Sequence, residues 1–172
     1  MQVLPEIWPV AADGIGIWLI SGRDAWRPRL PVMADSEPHA EVELELSDQN
    51  VRNDVTFLHS TSWRVDGPRL IVTYLAVVDR PGFVRDHWSD ALPVSINMVA
   101  AVGKPPTHAP DEAPAPRYID VLLHGLRHLS FLVGPNGDGT ARTVLSDDWK
   151  RHLSQFEPAL AGMYSGIYGE AA

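Results

Sequence analysis

The sequence predicts an α+β fold: a mixed β-sheet sandwiched by helices, with a two-helix C-terminal portion. Three observations predict it. Two long β-rich runs, 55–64 and 69–78, flank Asp66-Gly67 and read as a hairpin. The second run is apolar on both faces, which places it centrally in a sheet covered on both sides. The segment from Pro116 to Val133 sorts its side chains by face as a helix does. Ile119, Leu122, Leu123, Leu126, Leu129 and Val133 cover one side, while Arg117, Asp120, His124, Arg127 and His128 form a narrow opposite stripe.

Taken in order, residues 6–20 read as two short strands joined at Ala11-Ala-Asp-Gly14, where Asp-Gly supplies the positive φ of a tight hairpin turn. Ile15, Ile17 and Leu19 alternate after it. Residues 21–31, rich in Arg, Gly and Pro, read as a loop. Ser36 is an N-cap candidate with Glu37 and Pro38 in the first turn. That favours a helix over 36–47, although Ala40, Val42, Leu44 and Leu46 also alternate as in a strand. Pro81-Gly82 ends the hairpin. Residues 85–90 read as a turn or short helix, and Pro93-Val-Ser-Ile as a short strand. The Pro-rich stretch 104–116 is a stiff spacer. Gly134 to Gly139 is a surface turn lacking both phosphate-loop and calcium-loop patterns. Ser146-Asp-Asp-Trp starts a final helix running to about Met163, with Pro158 expected to kink it.

The 172 residues suit one domain, with sheet portion 1–103, spacer 104–116 and C-terminal helices 117–169. A net charge of -8 argues against nucleic acid as a partner. The absence of cysteine removes disulfides, thiol catalysis and Cys-based metal sites. The N-terminus lacks a basic start and apolar core, and no run reaches a membrane span, so the expected location is cytoplasmic with no membrane partner. The six tryptophans are scattered and read as core anchors.

The Arg/His stripe is the leading candidate site. His124 and His128 have the i, i+4 spacing of a metalloprotease helix, but Gly125 stands where the base glutamate would be. Arg117 and Arg127 in the same stripe repel a divalent cation, so no metal is assigned. Two readings stay open: ion pairs of Asp120 on a solvated face, or a surface for a phosphate, carboxylate or protein partner. Glu41, Glu43 and Glu45 form an acidic cluster that is either solvated or, on a helix, able to hold magnesium. His59, Thr61 and Trp63 share one face of an ideal strand and, with Arg64 beside them, suggest the wall of a pocket for a flat ligand. No Gly-x-Ser-x-Gly elbow accompanies the nearby serines.

The order hairpin, loop, acidic helix, long hairpin, helix resembles the Nudix hydrolases over roughly residues 5–100. That resemblance implies a Nudix-like sheet sandwiched by helices. The family's Arg-Glu-x-x-Glu-Glu-x-Gly run, whose glutamates bind magnesium, has its nearest match in Val42-Glu-Leu-Glu-Leu-Ser-Asp-Gln. Only Glu43 is kept there, and Leu46 and Ser47 replace the paired glutamates. The segments 59–64, 116–128 and 158–164 are also similar to a group of uncharacterised actinobacterial proteins, a likeness that implies no activity. The expected function is a non-catalytic binding or regulatory module for a small anionic ligand or a protein partner, needing no cofactor. The alternative is a divergent, magnesium-dependent phosphohydrolase in which helices 36–47 and 117–133 face a common cleft. The apolar, Gly-spaced residues 162–169 suggest a homodimer contact.

Overall fold

The computed structural model of the chain describes residues 2–29, 32–33, 37–95, 118–137 and 139–160. The spacer 104–116, Ser36, Arg117 and the stretch 162–169 lie outside them. Strands β1 (Gln2–Ala12), β2 (Ile17–Leu19), β3 (Val32–Met33), β4 (Val55–Asp66), β5 (Arg69–Val78) and β6 (Leu92–Val94) form one mixed sheet, in the order β4-β5-β1-β2-β6 with β3 added to β1. Helix α1 (Pro38–Asp48) precedes β4 and the one-turn α2 (Val84–His87) follows β5. Helices α3 (Tyr118–Val133), α4 (Thr140–Val144) and α5 (Asp147–Leu153) complete the described chain. No helix among the described residues is long and apolar enough to cross a membrane.

Strand β1 is the backbone of the sheet. It runs parallel to β5 from Gln2 to Ala11 although it carries two prolines, Pro5 and Pro9. N–H and C=O groups of alternate strand residues point to opposite edges. Ile7 exchanges both of its bonds with Trp26, away from β5, and the Pro9 carbonyl accepts from Ile20 on that same side. Pro5 and Pro9 share that phase, so their missing N–H groups fall on the interrupted edge of β1 and the β5 ladder stays whole.

The sheet separates two apolar layers. On one face Trp8, Val10, Ile17, Leu19, Leu75 and Val77 pack with α3, α4 and α5. On the other, Ile7, Ala11, Trp18, Tyr74 and Ala76 pack with Val42 and Leu46 of α1 and Val84 of α2. Burial of β5 on both faces is what its doubly apolar sequence predicts. Each buried leucine of α3 contributes roughly 1.5–3 kcal/mol of apolar burial. The helix crosses the sheet obliquely: Tyr118 stacks on Trp8 of β1, Gly125 lies against Leu75 of β5, and His128 meets His59 of β4.

Three local expectations need correction. The β1–β2 turn does not use a positive φ at Gly14. Instead the buried Asp13 carboxylate accepts from the backbone of Ile15 (2.9 Å) and Gly16 (3.1 Å), from Trp18 Nε1 (3.1 Å) and from the Val84 N–H (3.0 Å). Burial pushes the Asp13 pKa up, but these bonds outweigh it and leave the group below the ordinary value. Helix α1 begins with Glu37 as N-cap and Pro38 at its first position, without a side-chain cap. Helix α5 stops at Leu153, so Pro158 lies beyond it in irregular chain rather than kinking it. The Ser130 hydroxyl lies 3.1 Å from both the Leu153 and the Phe156 carbonyl and donates between them, which ties the chain after α5 to α3. The short α4 was not foreseen.

Asp13→Ala strips partners from the β1–β2 turn and the start of α2 together. It should cost about 3 kcal/mol in urea unfolding, since each orphaned buried donor costs roughly 1–3 kcal/mol; a loss within about 0.5 kcal/mol, typical of a neutral surface change, would refute that role. Gly125→Ala should stabilise by about 0.5–1 kcal/mol. The added Cβ would lie 3.5 Å from Leu75 Cδ1 and 3.7 Å from Thr61 Cγ2, ordinary contact distances. A Tm decrease would show the α3–sheet contact to be tighter than that.

Candidate functional site

Strand β4 pairs antiparallel with β5, and the pairing slips by one residue between Ser60 and Ser62. His59 faces Leu75 before the slip, while Ser62 faces Thr73 and Arg64 faces Ile71 after it. An extra residue in one strand reverses the in/out phase of every residue that follows. His59, Ser62 and Arg64 therefore lie on the α3 face. Trp63, opposite Val72, turns to the other face and is 70% exposed. His59 and Thr61 share the α3 face as expected, Thr61 lying against Gly125, but the bulge removes Trp63 from that face and brings Arg64 in.

Arg64 meets a carboxylate there. Glu6, 2% exposed, is on the α3 face of β1 in a row with Thr73 and Ser62. A carboxylate withdrawn from water is costly unless bonded. Arg64 Nη2 donates to Glu6 Oε2 (2.5 Å), and Arg27 Nη2 lies 3.5 Å from Oε1. The loop after β2, anchored through the paired Ile7 and Trp26 backbones, delivers Arg27. Around this centre Arg23, Asp24, Trp8, Tyr118 and Val121 enclose a cleft of about 350 Å³. Three guanidinium groups outnumber two carboxylates in a chain whose total charge is -8. The Trp8 ring stacks on Tyr118 at 6.3 Å, and its buried Nε1 has no hydrogen-bond partner among the described residues.

The polar stripe of α3 is not a solvated face. Asp120, His124 and Arg127 are only partly exposed, and His128 is 6% exposed. His128 Nε2 lies 3.0 Å from His59 Nε2 with the rings 23° apart. Arg127 donates from Nε to the Glu157 carbonyl (3.0 Å) and from Nη2 towards its carboxylate (3.4 Å). Burial lowers the His124 pKa, the Arg127 charge adds to this, and a bond to the Thr61 backbone partly opposes it. Burial likewise lowers His128, helped by His59 and His124 and opposed by a bond to the Ala159 backbone. Of the expected site residues the fold thus brings His59, His124, Arg127 and His128 together at one end of α3, with Arg64 at the cleft near the other.

The acidic cluster lies elsewhere. Helix α1 is on the opposite face of the sheet from α3, so the common cleft the hydrolase arrangement needs is not formed. Glu43 pairs with Arg52 and lies 3.5 Å from His39. Glu45 is buried and accepts from Gln49 Nε2 at 2.8 Å. Among the described residues no three His, Asp or Glu side chains form a metal-holding group. Sequence reading missed Glu6, Arg23, Arg27 and Tyr118. The available signal was Glu6 itself, a lone charge inside an otherwise apolar strand.

A histidine with a folded pKa below its unfolded value binds fewer protons folded than unfolded. Its contribution is complete above the unfolded value of about 6.5 and falls as pH drops through the window below it. The Tm should accordingly decline as pH is lowered from about 7, and His124→Gln/His128→Gln should flatten that decline. A slope unchanged in the double variant would assign it to other groups. Comparison with protein-family models and with curated proteins gives no match for this chain.

Proposed function

We propose that the chain is a non-catalytic, Nudix-like binding module that holds a small anion in the Glu6–Arg27–Arg64 cleft. The observation that carries this reading is the convergence of two guanidinium groups on one buried carboxylate in the cleft wall. Glu6 orients the arginines, and a guanidinium has five N–H donors, more than this pairing uses. Their remaining donors suit a carboxylate or phosphate in planar, bidentate fashion. Arg23 adds charge at the rim. In this reading the helix–sheet–helix architecture of the Nudix hydrolases is kept and their paired glutamates are replaced by Leu46 and Ser47. The pairing of Glu43 with Arg52 and the separation of α1 from α3 by the sheet favour binding over turnover.

The test is a thermal-shift and calorimetric panel of inorganic phosphate, short carboxylates and nucleotides. An anion at about 100 times its Kd adds roughly 2.7 kcal/mol, a rise of several degrees in a domain of this size. Arg27→Ala, which leaves Glu6 its closer bond to Arg64, should weaken binding at least about tenfold, the loss expected for one charged hydrogen bond. A panel without shifts, or full affinity in Arg27→Ala, would overturn the assignment. Magnesium-dependent phosphate release abolished by Glu43→Gln would favour the phosphohydrolase instead.

A further inference from the structure

The cleft around Glu6 is larger than a free anion requires. Inorganic phosphate or acetate would fill only a small part of its roughly 350 Å³, a volume at the lower end of the range of small-molecule sites. Its lining is of two kinds. Glu6, Arg23, Asp24, Arg27 and Arg64 carry charge, whereas Trp8, Ala25, Tyr118 and Val121 carry apolar surface.

The apolar wall is built where α3 begins to cross the sheet. Trp8 is fixed in the apolar layer beneath α3, and the Tyr118 ring stacks on it at 6.3 Å, 23° from parallel. Val121 follows three positions later, on the same side of the helix. Tyr118 and Val121 are only partly buried, while Ile119 and Leu122 between them are buried in the core. A ligand with an apolar body covers this surface, and withdrawing about 55 Å² of apolar surface from water is a tenfold gain in affinity. A flat ring gains more than an alkyl chain here, because offset or edge-on contact between aromatic rings adds to the burial itself.

The charged wall sets the valence of the ligand. Arg23, Arg27 and Arg64 stand against Glu6 and Asp24, an excess of one positive charge. One carboxylate neutralises that excess. A nucleoside diphosphate brings several negative charges, and all but one of them would meet Glu6 and Asp24 uncompensated. Arg64 and Arg27 approach opposite oxygens of Glu6, Oε2 and Oε1, and both side chains stay partly exposed. Their planar forks match a second carboxylate. Resting on the anion-binding reading of this cleft, we propose that its ligand is a monocarboxylate with a flat aromatic body. The carboxylate is held by Arg27 and Arg64, and the ring lies against Tyr118 and Val121.

NMR titration of the full chain with 3-phenylpropionate, acetate, inorganic phosphate and ADP, at one pH and ionic strength, tests this. 3-Phenylpropionate should bind at least about tenfold more tightly than each of the other three. Tyr118→Ala should lower the ratio of 3-phenylpropionate to acetate affinity at least about threefold, the worth of one aromatic contact. Should that variant fail to fold, Val121→Ser probes the same wall through the same ratio. Equal affinities for the four probes, tighter binding of phosphate or ADP, or a ratio untouched by the wall variants would each overturn the aromatic carboxylate. In those cases, weakening of every probe by Arg27→Ala leaves the anion site standing. No binding of any probe, or 3-phenylpropionate binding that Arg27→Ala leaves intact, would overturn the ligand class and the anion site together.

Discussion

One extra residue in β4 sets where the chemistry of this molecule falls. Strand side chains alternate strictly, so without the slip at Ser60–Ser62 the phase of His59 would carry on to Trp63, and Arg64 would point away from α3. The exposed indole of Trp63 would then lie in the sheet–helix layer, and Glu6 would lose its closest cation. Thr61, within the bulge, is buried against Gly125 at the point where α3 passes over β5. The Glu6–Arg64 ion pair and the cleft around it follow from the phase change.

Two buried carboxylates organise the rest. Glu6 and Asp13 stand near the middle and just beyond the end of the same strand, and each binds groups distant in sequence. Asp13 ties the β1–β2 turn to α2, while its own carbonyl receives the His152 ring of α5 at 2.8 Å. It joins elements from both faces of the sheet. Glu6 joins β1, the loop carrying Arg27, and β4. A withdrawn charge is tolerated only with several good donors, so these two residues specify one arrangement of loops over the apolar sheet.

Helix α3 spans the cleft near one end and the His59–His128 contact at the other. Its apolar positions behave as their spacing predicts, and Ile119, Leu122, Leu123, Leu126 and Leu129 are all buried. Its polar positions do not behave as a solvated stripe, because the helix lies across the sheet with β4 on one flank and the chain after α5 on the other. His128 is enclosed by His59, Phe131 and the Ala159 backbone. Polar spacing on a helix records which residues share a side; what covers that side is contributed by segments far away in sequence.

The sequence by itself determined the elements whose signals are local. The β4–β5 hairpin around Gly67, the doubly buried β5, the helical stretch 118–133 and helix α1 all follow from periodicity and turn chemistry. The α+β class follows from their order. The tertiary structure decided the rest, for reasons that periodicity cannot contain. The phase slip in β4 depends on pairing with β5, and the run Ser60-Thr-Ser62 carries no local mark of it. The tolerance of Pro5 and Pro9 depends on which edge of β1 is left open. Beyond the local bonds of the Asp13 turn, Arg27 and Arg64 reach Glu6, Val84 reaches the Asp13 carboxylate and His59 reaches His128 from 21 to 71 positions away, because a buried charge or ring is satisfied by whichever group the folded chain brings within hydrogen-bonding distance.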